Sequence, residues 1–208
     1  MNIYRIKVGA IQTNCYLVYN TPNNVVVSDP GDEEQKIADY VKQNSLTVKA
    51  VLLTHGHFDH IGAVAGMKRI FNCPVYISSQ DAPRLEKNEP DGTRFGVYIE
   101  HVVADYYVND NDQITIGDLT FKVLHTPGHT QGSVCYQIED VLFTGDTLFW
   151  GDTGRTDLAG GSDEQMYQSI LRLKRLSGDY KVYPGHDEAT TLENERKYNN
   201  LMSRISEK

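Results

Sequence analysis

The residues best equipped to do chemistry are histidines and aspartates placed in short, glycine-punctuated turns. Thr54-His55-Gly56-His57-Phe58-Asp59-His60 follows directly on the apolar run Val51 to Leu53. Residues two apart in an extended segment point to the same side, so His55 and His57 can share one ion. A turn just after them delivers Asp59 and His60 to another. Three more segments repeat one plan of strand, tight turn and ligand-type residue: Thr126-Pro127-Gly128-His129, Phe143-Thr144-Gly145-Asp146 and Tyr183-Pro184-Gly185-His186. Imidazole nitrogens and carboxylate oxygens in this number suit divalent cations, and strand ends give such ligands a rigid base with open access.

A lone histidine is usually a satisfied structural residue, and that reading is given to His101 and His125, which lack a ligand-like setting. Cys15, Cys73 and Cys135 are an odd number at scattered positions, without the close pairs of a zinc ribbon or a redox dithiol. They read as small buried hydrophobes. Asp29, which ends a strand before Pro30, is read either as a carboxylate that holds a ligand histidine or as a turn-forming Asp. Arg155 is a candidate substrate-binding residue for a carboxylate, with an ion pair to Asp152 or Asp157 as the alternative.

The elements that must position these groups follow from the rest of the 208 residues, of which 39% are hydrophobic, 23% charged and 10% aromatic. That is the composition of an ordinary globular protein, and the length suits one domain over residues 1–208. Apolar stretches are too short to span a bilayer and no leader is recognisable, so a soluble, cytoplasmic protein is expected. The formal net charge of -8 works against nucleic-acid binding. Small molecules are the expected partners.

β-branched and aromatic runs predict strands at Ile3 to Val8, Tyr16 to Tyr19, Val25 to Ser28, Ala50 to Thr54 and Val75 to Ile77. In the second half the predicted strands are Ile114 to Ile116, Thr120 to Leu124, Val134 to Ile138, Val141 to Phe143 and Lys181 to Tyr183. Helical spacing marks Glu33 to Gln43, Ala63 to Phe71, Glu164 to Leu176 and a segment from Leu192 onward. Strands in both halves with interspersed helices predict an α/β sandwich of two packed sheets covered by helices. Gln80 to Gly96 is the least regular stretch and a candidate mobile loop.

From Asn14-Cys15-Tyr16 through Asp29-Pro30-Gly31 and the H-x-H-x-D-H motif to Gly185-His186, the chain resembles the metallo-β-lactamase superfamily. Within it, the resemblance is to the short glyoxalase II-like (hydroxyacylglutathione hydrolase-like) branch. The resemblance implies a four-layer αβ/βα fold with two mixed sheets face to face. It implies that His55, His57 and His129 hold a first metal, that Asp59, His60 and His186 hold a second, and that Asp146 bridges them. Zinc is the leading identity, with Fe or Mn compatible with the same ligands. A diiron flavoprotein relative would carry Glu in place of His57. Full-length glyoxalase II enzymes continue into a helical region that helps bind glutathione, and this chain stops about twenty residues after His186. They also place a Lys and a Tyr where this chain has Gly154-Arg155-Thr156-Asp157.

The expected activity is hydrolysis of small S-acyl thioesters by a hydroxide shared between two cations. Asp59 and Asp146 are the catalytic carboxylates in this scheme, with Asp59 orienting the nucleophile or accepting its proton. A mononuclear iron persulfide dioxygenase using only His55, His129 and Asp146 is the first alternative. A hydrolase of another ester-like bond, a lactone or phosphodiester, is the second.

Overall fold

The computed structural model describes residues 1–87, 89, 92 and 98–205. Among them two six-stranded sheets face each other. The first holds β1 (Asn2–Val8), β2 (Thr13–Tyr19), β3 (Val25–Ser28), β4 (Val48–Leu52), β5 (Val75–Ser78) and β6 (Tyr106–Val108) in sequence order. Pairing is antiparallel from β1 to β3 and parallel from β3 to β6. The second holds β7 (Gln113–Ile116), β8 (Leu119–His125), β9 (Val134–Ile138), β10 (Val141–Gly145), β11 (Lys181–Pro184) and β12 (Thr190–Thr191), with β10 and β11 parallel and the other pairs antiparallel.

Strand periodicity sorts the core into layers. Tyr16, Val18, Val26, Ala50 and Leu52 meet Phe121, Val123, Tyr136 and Phe143 between the sheets. The alternate residues point outward: Cys15, Leu17, Val27 and Val51 pack under α1 (Glu34–Gln43), α2 (Phe58–Ile61) and α3 (Val64–Phe71) through Ile37, Val41, Ile61, Val64 and Met67. On the other side Leu124, Cys135, Leu142 and Val182 lie under Met166, Ile170 and Leu173 of α5 (Asp163–Lys174), with Leu192 of α6 (Leu192–Tyr198) in the same cluster. Central strands apolar on both faces are what helices on the outside require. The expected αβ/βα sandwich is therefore the observed fold.

The differences from the sequence reading are local. β2 starts at Thr13, before the apolar run, and β4 ends at Leu52, so Leu53 and Thr54 continue beyond its last paired residue. The stretch Gln80 to Gly96, read as loop, contains the helix α4 (Ala82–Glu86), whose first turn carries Pro83. Proline is tolerated there because the first helical N–H groups have no intrahelical acceptor. The remainder of that loop reading, at 88, 90, 91 and 93–96, lies outside the described residues. α5 starts under a Ser162 cap that accepts from the Gln165 N–H at 3.3 Å. Among the described residues no helix is long and apolar enough to cross a membrane.

The turn after β3 locks α2 in place. A Cβ on Gly31 would lie 1.5 Å from the Asp59 carbonyl oxygen, and a Cβ on Gly62 would lie 2.2 Å from the Gly31 carbonyl oxygen. Gly31→Ala should overpack this contact, costing about 1–3 kcal/mol. Thermal denaturation should then show a Tm roughly 2–12 °C lower. An unchanged Tm would mean that the β3 turn and α2 are not in this contact.

Candidate metal centre

The ends of four strands converge at one edge of the sandwich. His55 and His57 leave the end of β4, and Asp59 and His60 sit in α2 directly beyond. His129, Asp146 and His186 follow β8, β10 and β11, which run in one direction within the second sheet. Three turns need glycine for reasons of space and φ. Gly128 has φ 142° with a Cβ position 2.5 Å from the Met166 backbone, and Gly145 has φ 46° with a Cβ position 2.2 Å from Thr54 Oγ1. At Gly185 an added Cβ would come 2.2 Å from Asp146 Oδ1.

All of the ligand-type residues singled out in the sequence come together here. Ligand atoms of His55, His57 and His129 lie within 4.8 Å of one another, and so do those of Asp59, His60 and His186. Asp146 stands between the groups: Oδ2 is 3.4 Å from His129 Nε2 and 3.5 Å from His186 Nε2, and Oδ1 is 3.3 Å from His60 Nε2. His101 and His125 join neither group; their rings face the carbonyls of Leu85 and Gln131 at 3.2 and 2.9 Å. The three cysteines are free and buried, and burial pushes the thiols of Cys73 and Cys135 up to about 11.

The rings are oriented by outer hydrogen bonds. His129 Nδ1 donates to the Arg155 carbonyl at 2.7 Å, which leaves Nε2 as a lone pair aimed at His57 Nδ1, 2.7 Å away. Thr54 Oγ1 donates to Asp29 Oδ2 at 2.8 Å, so toward His55 Nδ1, at 3.1 Å, it can only accept. His55 Nε2 is then the inward lone pair. Asp29 also accepts from the Thr54 N–H at 2.8 Å, and its Oδ2 lies 3.3 Å from His60 Nδ1, so its carboxylate touches two of the histidine-bearing segments as well as its own turn.

These groups fit divalent cations on a direct observation. His55 Nε2 is buried with no hydrogen-bond partner, and the ring nitrogens of His60 and Asp146 Oδ1 are buried with only ion-pair contacts of 3.3–3.4 Å and no hydrogen bond. Buried polar atoms left in that state are costly, and a cation in each group would satisfy them together. The electrostatics divide the same way. Burial holds His55 well below its usual range and His57 down to about 2, with the neighbouring His60 and His129 respectively adding to it. Burial opposes charge at His60 and His186 too, but the carboxylates of Asp59 and Asp146 outweigh it, raising His60 strongly and His186 to about 9. The carboxylate side thus demands positive charge, while the other side offers neutral nitrogens.

Sequence reasoning missed the residues that clamp the ligand loops. Asp81 is buried beside α4, and its carboxylate accepts from the Gly56 N–H at 2.8 Å, Thr130 Oγ1 at 2.7 Å and the Gly132 N–H at 3.0 Å. It ties the His55/His57 loop to the His129 loop. An Asp before Ala-Pro reads locally as a helix cap, but no capping bond forms. The other group is held from β2. Thr13 Oγ1 donates to Asp59 Oδ2 at 2.8 Å, Asn14 Nδ2 donates to the carbonyls of Pro184 and Asp187 at 3.0 and 2.9 Å, and the Tyr16 hydroxyl donates to Pro184 at 2.8 Å. A polar Thr-Asn pair directly before an apolar run was the available signal.

The sequence profile of the metallo-beta-lactamase superfamily matches residues 8–186. The hydroxyacylglutathione hydrolase GloC of Haemophilus influenzae is 34% identical over 209 residues, covering 98% of this chain and 99% of that protein. The crystal structure of BLEG-1, a B3 metallo-beta-lactamase, superposes with a TM-score of 0.92 at 38% identity, covering 97% of this chain and all of that one. That of TTHA1623 in a di-iron-bound form gives 0.87 at 35% identity, covering 95% and 98%. The chain belongs to the metallo-beta-lactamase superfamily, and it is a hydrolase of that superfamily.

If each clamp serves its own group, the two can be uncoupled. Asp81→Asn should weaken Co2+ binding by the His55, His57 and His129 group by about 10- to 100-fold, as loss of an outer partner typically does. Asn14→Ala should instead weaken binding by the Asp59, His60 and His186 group. Two-site titrations followed by Co2+ absorption would show this; equal weakening of both sites in both variants would contradict it.

Proposed function

We propose that this site hydrolyses small S-acyl thioesters, and that His55, His57 and His129 hold one divalent cation and Asp59, His60 and His186 a second, with Asp146 shared. The observation that carries the reading is the position of this cluster at the floor of a cleft of about 650 Å³, onto which His57, Asp59, His129, Asp146 and His186 all open. Its size is that of a small-molecule site. A close relative named as a hydroxyacylglutathione hydrolase supports the substrate class. The cations would supply Lewis acidity and a water of lowered pKa; zinc is our first choice, and the same ligands accept iron or manganese.

The chain's own residues set up the rest. Asp59 Oδ2 is engaged by Thr13 and lies 3.2 Å from His186 Nε2, so Oδ1 is the oxygen placed to take a proton from the attacking water. The water oxygen adds to the thioester carbonyl carbon, the C–S bond breaks, and the proton taken up by Asp59 passes to the leaving sulfur. The products are a carboxylic acid, which keeps the other water proton, and a thiol, with Asp59 returned to its carboxylate form. Arg155 lines the cleft, but its guanidinium is held by both oxygens of Asp157 at 2.7 Å, the ion-pair alternative weighed from sequence. It therefore gives a charged carrier such as glutathione a partner that is already neutralised.

Elemental analysis of purified, loaded protein should find two metals per chain. Asp146→Ala should abolish turnover and lose at least one of them, while His125→Ala should do neither. A single ion, with oxygen consumed in the presence of a persulfide, would move the assignment to a mononuclear dioxygenase.

The carrier can be tested separately. S-lactoylglutathione and S-lactoyl-N-acetylcysteamine should differ in kcat/KM by less than about a hundredfold, or about 2.7 kcal/mol. A larger preference for the glutathione substrate would reveal a peptide-binding surface, and no thioester turnover by the loaded protein would overturn the reaction.

A further inference from the structure

We infer that the cleft selects ligands whose reacting group carries an apolar chain. This rests on the thioester reading for the reaction but not for the binding. Above the polar floor, the walls are Val8, Ala10, Ile11, Phe58, Phe149 and Leu158. The charged lining residues outside the floor are Asp32 and Arg155, the second already paired with Asp157. Among the described residues, then, the walls present no uncommitted cation to an anionic carrier, and Asp32 adds repulsion. A hydroxylated two-carbon chain such as lactoyl would leave most of this surface in contact with water.

Ile11 makes the case independently. It sits at the tip of the turn between β1 and β2, where Gly9 and Gln12 both have positive φ, and it is 53% exposed. Tight turns usually carry Gly, Asn, Asp or Ser. A large apolar side chain here contributes nothing to the three hydrophobic clusters, yet it lines the cleft. Phe149, another of the wall residues, has its ring edge-on to His186 at 6.0 Å. An apolar chain reaching from the ligand group to these residues would remove their surface from water, which is favourable in proportion to area.

The test uses straight-chain carboxylates, which mimic the acid product and need no turnover. Calorimetric titration of the metal-loaded protein with acetate, butanoate, hexanoate and octanoate should show affinity rising about two- to fourfold per methylene. Ile11→Ser, at a position too exposed to matter for folding, should flatten that series. With the thiol fixed as N-acetylcysteamine, kcat/KM should rise in step from acetyl to hexanoyl. A carboxylate series that is flat, or equally steep in Ile11→Ser, would overturn the inference. A rising series without turnover of any thioester would uphold the apolar cleft and overturn the thioester reading instead.

Discussion

Most of this molecule follows from one costly arrangement: five imidazoles and two carboxylates gathered where two sheets meet, with several of their polar atoms buried and unpartnered. Such a cluster cannot be a by-product of folding, because hydrophobic burial would drive these groups out to water. Outer hydrogen bonds to Asp29, Asp81 and the Arg155 carbonyl hold its rings and loops in place. The glycines at 31, 128, 145 and 185 bring backbone close enough to do this, and a methyl group at any of them would collide with a ligand or its support.

Besides Asp29, which reaches both groups, two further supports share no residue. One is a carboxylate beside α4 that pins two loops from different sheets; the other is the polar start of β2, a strand that contributes no ligand itself. Preorganisation of this kind is what allows strand-end loops, ordinarily the more mobile parts of a fold, to present atoms to within a few tenths of an ångström. The cleft above is simpler: its walls are apolar, and its one cation among the described lining residues is internally paired.

The histidine and aspartate cluster was legible because it is written locally. H-x-H-x-D-H and the three Pro-Gly or Thr-Gly turns are runs of adjacent residues, and the layered fold follows from strand runs apolar on both faces. What stayed hidden depends on contacts across long stretches of chain. Asp81 looks like any polar residue before a short helix, since the loops it joins lie 25 and about 50 positions away. Thr13 and Asn14 fell outside the expected strand because they are polar, although that polarity is the reason they face the site. Arg155 was recognised as a candidate, but only the three-dimensional contact shows which carboxylate neutralises it.

The clasp formed by β2 has a consequence for how the protein comes apart. Asn14 and Tyr16 hold the turn that carries His186, and Arg5 and Lys7 reach Glu188 just beyond it, so residues more than 160 positions apart close a ring. Terminal strands are ordinarily where a native structure frays first and where amide hydrogens exchange fastest. Here, opening β1 and β2 would release both Asp59 and the His186 turn. By linkage, a cation held by that group as proposed would slow exchange along the hairpin of β1 and β2, and a firmly paired hairpin would in turn tighten the grip on the cation.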